Sequence, residues 1–561
     1  MLNRFIHMGR VLLVLAFVVC SPVKAQDFLG TFLAAEFAVD EYRYDVAEEF
    51  IEKLPDEAFD NPEILQLALK AYVGIGKIDR AIEFADRLLA MESDFVLARV
   101  VNIVDLFHRY EYDAVRASLE EIPLNFPLTT LFQGWASYGD GSVEDSLEIF
   151  QEGLGQDAAF LNSWTESLIH ASAGNFDMAL DTLGVVTNYP PALQNEVLYL
   201  RVGILLKQGK LEQAKEEFDL LILSDIEPRK VPFLQLGEYL DTSNTNDLNL
   251  KITAQKGMAK LLSAVARIAT NNNDASGDSL ALFRMASYLD PEDITLDFSA
   301  SRTLLFLESY ELALQPLEEI LPGNPYFQAS SALQADIYYG MGEIENSVMV
   351  VERALEHHPT SVDLWYLSGE IRYNEAKYEE ALVSIDQALE LAKEVNRDSW
   401  DVYFLRGSIY YFLNNWESAE VDWRMALELS PDNALILNNL GYTLADRNIK
   451  LDEAEDLIRK AVEAEPDNGY YVDSLGWVLF RRGKLDEALE YLQRADRLTP
   501  NEPEVIDHIA DAYWTLGEEE LAIREWERAL ENEPYEVLEK KIEFKLMYGL
   551  EEGMKKFEEE Q

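Results

Sequence analysis

Residues 407–434, GSIYYFLNNWESAEVDWRMALELSPDNA, contain the pattern that decides the fold. The small residue Ala419 is followed by the large apolar residue Trp423, and then by Ala426 and Pro431. The same order returns at spacings of 35, 34 and 34 residues, with its leading alanine at Ala454, Ala488 and Ala522. A second small residue stands twelve or thirteen positions before each leading alanine, at Gly407, Gly441, Gly476 and Ala510. The chain is therefore built from an internal repeat.

Each repeat is predicted to be a pair of antiparallel helices. Small residues on both helices allow the two axes to approach to about 8–10 Å, while the large apolar residue fills the groove beside the crossing. Proline cannot continue a helix, so a proline ends each unit and starts the turn to the next, at Pro431, Pro466, Pro500 and Pro534. The pairs Asp432-Asn433 and Asp467-Asn468 follow two of these prolines and are expected to supply turn and N-cap chemistry. One pair cannot bury its apolar faces, but stacked pairs can.

The pattern extends backwards over most of the chain. Fourteen units share the small residue of the second helix, at Ala47, Ala81, Ala114, Ser146, Ala179, Ala214, Ser279, Ala313, Ser347, Ala381, Ala419, Ala454, Ala488 and Ala522. The 65-residue step from Ala214 to Ser279 is nearly two periods, so one more degenerate unit is expected inside it. The period resembles the tetratricopeptide repeat (TPR). We therefore predict an all-α fold, a right-handed TPR superhelical solenoid of about 14–15 helix-turn-helix repeats.

The repeat positions divide the chain into five predicted segments. These are a signal peptide (1–25), an N-terminal TPR array (26–223), a degenerate repeat or linker region (224–278), a C-terminal TPR array (279–534), and a capping helix with an acidic tail (535–561). The polar run DTSNTND at 241–247 is the clearest loop of the middle region. We expect that region to separate six N-terminal units from eight C-terminal units.

The first 25 residues are typical of a secretory signal. Arg4 and Arg10 precede an apolar core of about ten residues, which is too short for a bilayer that takes about 20. Ala25 ends a small-x-small cleavage motif. The alternative is lipidation at Cys20, although residues 17–19 are not the small residues that a lipoprotein signal prefers. We therefore expect the periplasm, with an outer-membrane association left open, and no later membrane-spanning segment.

Composition narrows the class of protein. Hydrophobic residues make up 48% of 561, which excludes a disordered chain, and the net charge is −56. A surface this acidic repels phosphate backbones and anionic membranes, so nucleic acid is not an expected partner. Cys20 is the only cysteine, so a processed chain would have no disulfide, thiolate metal site or cysteine nucleophile.

No catalytic motif emerges from the residues. The six histidines form no HExxH pair, and no Gly-rich phosphate loop or GxSxG elbow is present. His357-His358 precedes Pro359 and is interpreted as an exposed turn, with a metal ligand as the alternative. The run DASGD at 274–278 is interpreted as a linker, with a calcium loop as the alternative. We therefore predict a protein that is not an enzyme and takes no cofactor or metal.

Helical spacing predicts which side chains of each first helix line the concave face. The candidate partner-binding residues are Tyr366, Glu370, Tyr373, Tyr411, Asn438, Asn439, Tyr442, Tyr470, Asp473, Trp477, Arg481, Asp507, Asp511 and Trp514. Aromatic and amide groups broken by acids are typical of a protein-binding groove. The alternative is that several of the aromatics, Trp477 and Trp514 above all, pack against a neighbouring helix. Arg481 is nearly the only cation, so apolar or basic peptide segments are the expected ligands, and a bare carboxylate is not.

Three stretches carry a more specific resemblance. They are NNLGYTLADRNIKLDEAE at 438–455, DSLGWVLF at 473–480 and DHIADAYW at 507–514. They resemble secreted Gram-negative TPR proteins, among them the outer-membrane lipoproteins that act as adaptors for carboxyl-terminal processing proteases. That resemblance implies a periplasmic adaptor that binds a protease and presents cell-wall hydrolases to it. Residues 28–390 show the generic repeat pattern alone.

We therefore predict a non-enzymatic scaffold whose concave grooves hold protein segments. One alternative is a structural component of an envelope machine for polysaccharide or pilus export. Another is an enzyme that uses an acid in the groove. Self-association through terminal repeats is left open.

Overall fold

The computed structural model describes residues 22–121, 124, 128–153, 158–220, 230–242, 245, 247–271, 276–395 and 399–560. Within these ranges every regular element is helical, which confirms the all-α prediction. There are 31 α-helices and two short 3-10 helices, Asp56–Asp60 and Val186–Asn188. The chain forms two compact units, which we call unit 1 (Met1–Pro359) and unit 2 (Thr360–Gln561).

Unit 1 contains nineteen of these α-helices. They are α1 (Pro22–Asp40), α2 (Tyr44–Ile51), α3 (Pro62–Ile75), α4 (Ile78–Ala90), α5 (Val96–His108), α6 (Tyr112–Glu121), α7 (Leu128–Gly139), α8 (Val143–Gly153), α9 (Ala159–Ser172), α10 (Phe176–Leu183), α11 (Pro191–Lys207), α12 (Leu211–Phe218), α13 (Lys230–Thr242), α14 (Ala254–Asn271), α15 (Gly277–Leu289), α16 (Thr295–Phe306), α17 (Tyr310–Glu318), α18 (Phe327–Gly340) and α19 (Ile344–His357).

Unit 2 contains the other twelve. They are α20 (Val362–Asn374), α21 (Tyr378–Glu394), α22 (Trp400–Phe412), α23 (Trp416–Leu429), α24 (Ala434–Asp446), α25 (Leu451–Ala464), α26 (Gly469–Arg481), α27 (Leu485–Leu498), α28 (Pro503–Thr515), α29 (Glu519–Glu531), α30 (Glu536–Tyr548) and α31 (Leu550–Glu560). Successive pairs pack as hairpins, and each hairpin packs on the next.

The hairpin crossings have the predicted packing. The leading alanines Ala419, Ala454 and Ala488 are fully buried. A Cβ added at Gly476 would lie 2.6 Å from Leu492 Cγ, and one at Gly407 would lie equally close to Trp423. Glycine is required there because the large residue of the second helix occupies the space that any side chain would take.

Serine replaces alanine at some crossings because its hydroxyl finds a partner in the facing helix. Ser146 Oγ donates to the carbonyl of Gly134 at 2.8 Å, and Ser347 Oγ donates to that of Ala335 at the same distance. In both hairpins the acceptor is the small residue twelve positions upstream. A buried hydroxyl is tolerated when it is hydrogen-bonded in this way.

One predicted crossing residue is displaced by a single position. Ala114 is only partly buried, whereas its neighbour Val115 is completely buried. The second helix of a hairpin begins three residues before its buried crossing residue, as Trp416 does before Ala419. Since α6 begins at Tyr112, the crossing residue of this unit is Val115.

The predicted N-caps are confirmed. Asn433 Oδ1 accepts hydrogen bonds from the backbone N–H groups of Leu435 and Ile436 at the start of α24. Asn468 does the same for the first turn of α26. These side chains satisfy donors that a helix start leaves unpaired.

In unit 1 the chain covers the first helices of its own N-terminal repeats. The pair α14–α15, which we call the inner hairpin, packs with α14 against α7, α9 and α11, and with α15 against α3 and α5. The approach is close, because a Cβ at Gly257 of α14 would lie 2.3 Å from the ring of Trp135 in α7. The inner hairpin therefore occupies this face of unit 1.

Hydrogen bonds between distant residues fix the inner hairpin. Gln255 Nε2 donates to the Phe107 carbonyl at 3.2 Å and to the Tyr112 hydroxyl at 2.8 Å. Tyr138 Oη donates to the Ile252 carbonyl at 3.2 Å, and Tyr288 Oη donates to Asp105 Oδ1 at 3.3 Å. Buried polar groups with matched partners make the packing specific.

The region 224–278 differs from its expected role as a divider. It contains α13, α14 and the start of α15, and the last two belong to the inner hairpin of unit 1. The boundary between the compact units follows α19 instead, at Pro359 and Thr360. Residues 221–229, 243–244, 246 and 272–275 of this region and its surroundings lie outside the described residues.

The C-terminal segment is a helical hairpin, where one capping helix and a tail were predicted. Helices α30 and α31 pack together, and Phe557 of α31 is buried against Phe544 of α30. Residues 551–560, which the sequence suggested as a solvated tail, are therefore part of a packed helix. Residues 1–21 of the predicted signal peptide, including Cys20, lie outside the described residues, and residues 22–25 lie in α1.

Within the ranges given above, none of the helices combines the length and the apolar character needed to cross a membrane.

Candidate functional site

The candidate site is the face of unit 2 lined by the first helices of its hairpins. These helices are α20, α22, α24, α26, α28 and α30, and we call the surface their inward residues form the inner face. All fourteen predicted residues lie on these helices. The structure divides them into residues used inside unit 2 and residues that remain available.

At the first hairpins of unit 2 the inner face is aromatic. Phe412 stacks on Tyr378 with ring centroids 4.9 Å apart, and Tyr373 contacts both rings. Phe412 is 47% exposed. Burial and the neighbouring Glu370 raise the pKa of Tyr366 well above its usual range, because Tyr366 hydrogen-bonds to that carboxylate.

In the middle of the inner face, a tyrosine of α24 is hydrogen-bonded to a carboxylate of α28. Tyr442 Oη donates to Glu504 Oε1 at 3.2 Å. Burial raises the pKa of Tyr535 to about 12. Smaller contributions come from the charges of Glu504, Asp507, Tyr411 and Asp446. Burial, followed by the charges of Asp446 and Glu504, raises the pKa of Tyr411, while the charge of Arg447 opposes the rise.

The next acid along, Asp473, is paired within unit 2. Its carboxylate oxygens lie 3.0 Å from Nδ1 of His508 on the following first helix, and both residues are buried. The ring of Trp477 stacks on His508 with centroids 4.2 Å apart, and the Arg481 guanidinium lies over Trp477 at 5.6 Å from the ring centroid. Because both side chains are buried, the partner-binding prediction is wrong for Asp473 and Trp477. Their contacts with His508 hold α26 against α28.

The charges of Asp507 and Asp511 are also balanced by a residue of unit 2 itself. Lys545 Nζ of α30 lies 2.7 Å from Asp507 Oδ2 and 2.8 Å from Asp511 Oδ2, and all three residues are at least 96% buried. Asp511 Oδ1 also accepts a hydrogen bond from Trp526 Nε1 at 3.0 Å. The prediction of partner contact is thus corrected for these two aspartates, because burial leaves Lys545 as their ionic partner.

Three other predicted residues are partly buried. Trp514 packs against Trp526, with centroids 5.3 Å apart, and against Gly549. Asn439 Nδ2 donates to the carbonyl of Leu435 in its own helix at 2.9 Å. Asn438 Oδ1 is buried without a hydrogen-bond partner among the described residues. Trp514 therefore fits the core alternative, and Asn438 offers an unused acceptor.

Tyr470 is the most exposed of the predicted aromatics. Its side chain is 58% exposed, and its hydroxyl donates to Glu502 Oε2 at 3.3 Å. Together with Phe412 it gives the inner face large apolar area that is open to a partner.

Three residues of the site were not predicted from the sequence. Lys545 lies in the predicted capping helix, Glu504 was not in the predicted stripe, and Tyr535 precedes α30. The available signal for Lys545 was its 34-residue distance from Asp511, which is one repeat period. Nothing local marked Glu504 or Tyr535.

The buried histidine makes stability depend on pH. Burial alone would lower the pKa of His508, but the charge and hydrogen bond of Asp473, followed by the charges of Glu504 and Asp507, outweigh it and raise the pKa to about 9. A raised pKa stabilises the fold below the unfolded value of about 6.5, and that stability is lost as the pH rises through about 9.

We expect the wild-type protein to lose of the order of 1–2 kcal/mol of unfolding free energy from this group between pH 6.5 and 9.5. His508→Gln should lose distinctly less over the same interval. Urea unfolding of both proteins at the two pH values measures the difference. Equal pH dependence would show that His508 and Asp473 are not coupled in solution.

The candidate metal residues give a separate result. Among the residues whose placement is described, no group of three or more His, Cys, Asp or Glu side chains is arranged to hold a metal ion. His357 ends α19 and His358 is its C-cap, and both rings contact Phe327. In the run 274–278, Ser276 caps α15 by accepting from Ser279 N, and residues 274 and 275 lie outside the description.

Comparisons with known proteins match the repeat. Residues 362–395, and the overlapping ranges 404–469 and 444–503, match family models described as tetratricopeptide repeat. A TPR repeat-containing protein of Pseudomonas aeruginosa, PA4667, is 30% identical over 200 residues. That stretch is 36% of this chain and 33% of the relative, so the chain matches about a third of that protein's length.

Three solved structures illustrate the similarity to known folds at low TM-scores. The APC/C Cut9–Hcn1 structure has 16% identity and a TM-score of 0.42, and covers 96% of this chain and 98% of that chain. MamA of AMB-1 has 26% identity, a TM-score of 0.25 and coverage of 30% and 90%. YrrB, titled a TPR protein with an unusual peptide-binding site, has 21% identity, a TM-score of 0.28 and coverage of 34% and 94%.

Proposed function

We propose that this chain is a protein-interaction scaffold that binds a segment of a partner protein on the inner face of unit 2. The observation that carries the proposal is the contrast between the two units. In unit 1 the inner hairpin covers α3, α5, α7, α9 and α11, whereas in unit 2 Phe412 and Tyr470 remain 47% and 58% exposed. Exposed aromatic side chains beside polar groups are characteristic of protein-binding surfaces.

The matched family models support a role in binding, since a tetratricopeptide array is a repeat scaffold that presents an extended surface. The chemistry of the inner face agrees with this. Its buried ionisable groups are neutralised in pairs, as Asp473 is by His508, and such pairs stabilise the packing of helices.

The finer proposal concerns place and partner. We propose that the chain works in the periplasm, after cleavage following Ala25, as an adaptor that joins a processing protease to cell-wall enzyme clients. The secretory pattern of the first 25 residues and the sequence resemblance over 438–514 support it.

Capture from the native envelope tests this proposal. The wild-type chain, a Phe412→Ala/Tyr470→Ala variant and a control Val383→Ala/Val421→Ala variant would be crosslinked and recovered. Val383 and Val421 lie on the second helices α21 and α23 and are 69% and 65% exposed, so the control removes similar apolar area elsewhere.

We expect a processing protease or a cell-wall hydrolase to be recovered with the wild type and the control and lost with the inner-face variant. Recovery of export machinery would contradict the adaptor role. Equal recovery with the inner-face variant would contradict the binding surface.

A further inference from the structure

We propose that the inner face of unit 2 binds its partner segment as an amphipathic α-helix, which lies across α20, α22 and α24 as the chain's own helix α14 lies across α7, α9 and α11. This inference rests on the proposed function and specifies the conformation of the partner segment. Three observations support it. They concern the way unit 1 holds α14, the exposure of repeat-equivalent residues in unit 2, and the hydrogen bonds of the inner face.

The first observation is that unit 1 already holds a helix on its first helices. Helix α14 packs on α7, α9 and α11. A helix of 18 residues is about 27 Å long, enough to cross three helices whose axes are about 8–10 Å apart. Met258, Leu261 and Leu262 of α14 are completely buried, and Gly257 allows a close approach to Trp135. The repeats of this chain therefore accept a helix with an apolar stripe and a small residue at the point of closest contact.

The second observation is that equivalent positions of the repeat are covered in unit 1 and open in unit 2. The residue fifteen positions before the leading small residue is Leu131 in α7 and Trp164 in α9, and both are almost completely buried. In unit 2 the same position is Tyr366 in α20 and Phe404 in α22, and both are partly exposed. Unit 2 thus presents large apolar side chains where unit 1 has buried ones.

Another equivalent position gives the same contrast. The residue seven positions before the leading small residue is Ser172 in α9 and Phe412 in α22. Ser172 Oγ accepts a hydrogen bond from the backbone N–H of Ile252 at 3.1 Å, where the chain approaches the start of α14. Phe412 is 47% exposed. The position that binds the incoming chain in unit 1 is therefore open in unit 2, and there it offers apolar area to a partner.

The third observation is that polar side chains of the inner face are already hydrogen-bonded within unit 2. Asn439 donates to a backbone carbonyl of its own helix at 2.9 Å, and Tyr442 donates to Glu504 at 3.2 Å. Asp473 lies 3.0 Å from His508. An extended segment would bring unpaired main-chain N–H and C=O groups to this face, whereas a helix pairs its own. Such a face favours a helix that contacts it through apolar side chains.

Peptide binding to the full chain tests the inference. The helix peptide has the sequence of residues 251–271, which includes all of α14, with acetylated and amidated ends. The proline peptide is identical except for Ala259→Pro and Ser263→Pro, so it has the same length and charge but cannot form the helix. We expect the helix peptide to bind at least about tenfold more tightly by fluorescence anisotropy.

Two matched variants of the full chain locate the binding. Phe412→Ala removes an exposed aromatic ring from the inner face, and Val421→Ala removes an apolar side chain that is 65% exposed on the second helix α23. We expect Phe412→Ala to lose about fivefold in affinity for the helix peptide and Val421→Ala less than about twofold. Exchange of the peptide for α14 in unit 1 would not respond to Phe412→Ala. Circular dichroism of both variants checks that they are folded.

Equal binding of the two peptides, equal losses in the two variants, or no binding of the helix peptide would overturn the inference. Failure of the proposed function is distinguishable from this. If the inner-face variant loses its partner in the envelope experiment but the two peptides bind alike, the helix inference fails and the scaffold stands. If the inner-face variant captures partners as the wild type does, both fail.

Discussion

Replacing Lys545 with methionine is expected to destabilise unit 2 by about 3–5 kcal/mol. Methionine keeps most of the apolar stem but removes the ammonium that lies between Asp507 and Asp511. Those carboxylates are 4% and 3% exposed, so water cannot replace the lost partner. Burial and the charge of Asp507 already raise the pKa of Asp511 to about 6 in the presence of Lys545. Urea unfolding of the full chain at pH 7 measures the loss.

Two further variants make the Lys545 prediction specific. Lys540→Met changes an exposed lysine of the same helix, whose partner Glu536 is also exposed, and should leave the stability nearly unchanged because water screens the pair. Adding Asp507→Asn and Asp511→Asn to Lys545→Met should recover part of the stability, because neutral amides are less costly to bury than unpaired charges. If Lys545→Met were no more destabilising than Lys540→Met, the buried triad would not exist in solution.

Replacing Gly257 with alanine is expected to destabilise unit 1 by about 1–3 kcal/mol, the range typical of overpacking. The sign of this stability change is informative, because replacing glycine with alanine inside a helix ordinarily stabilises a protein by about 1 kcal/mol. Here the new methyl group would lie 2.3 Å from ring atoms of Trp135, which is completely buried. The inner hairpin could then not keep its place against α7.

Gly30→Ala is the matched control for Gly257→Ala. Gly30 lies inside α1 with no atom within 4 Å of the new Cβ, so the substitution should be neutral or stabilising. Thermal unfolding followed by circular dichroism compares the two variants. A gain in stability for Gly257→Ala would mean that the inner hairpin does not pack on Trp135.

Local steric rules made the hairpins predictable. The pairing of a glycine such as Gly476 with the large residue Leu492 depends on a crossing within one hairpin, so sixteen residues of sequence contain the information. Ala114 was misplaced because alanine and valine both fit a crossing, and the start of α6 at Tyr112 decides between them.

Contacts between distant repeats were not predictable from one sequence. Gln255 binds Phe107 and Tyr112 across 148 and 143 residues, and nothing near Gln255 indicates this. The inward direction of Asp507 followed from helical spacing, but the lysine opposite it lies 38 residues later on α30. Spacing therefore predicts which side chains face inward, while the neighbouring hairpin decides whether they are buried, paired or available.

A photo-crosslinking amino acid at position 470 tests the central claim most directly. The full chain with the crosslinker at Tyr470 would be irradiated in the native envelope beside a chain with the crosslinker at Val421. Both positions are well exposed, one on the inner face and one on the second helix α23. We predict that position 470 attaches to one protein and that position 421 does not. Attachment of the same protein at position 421 with equal yield, or none at position 470, would contradict binding at the inner face.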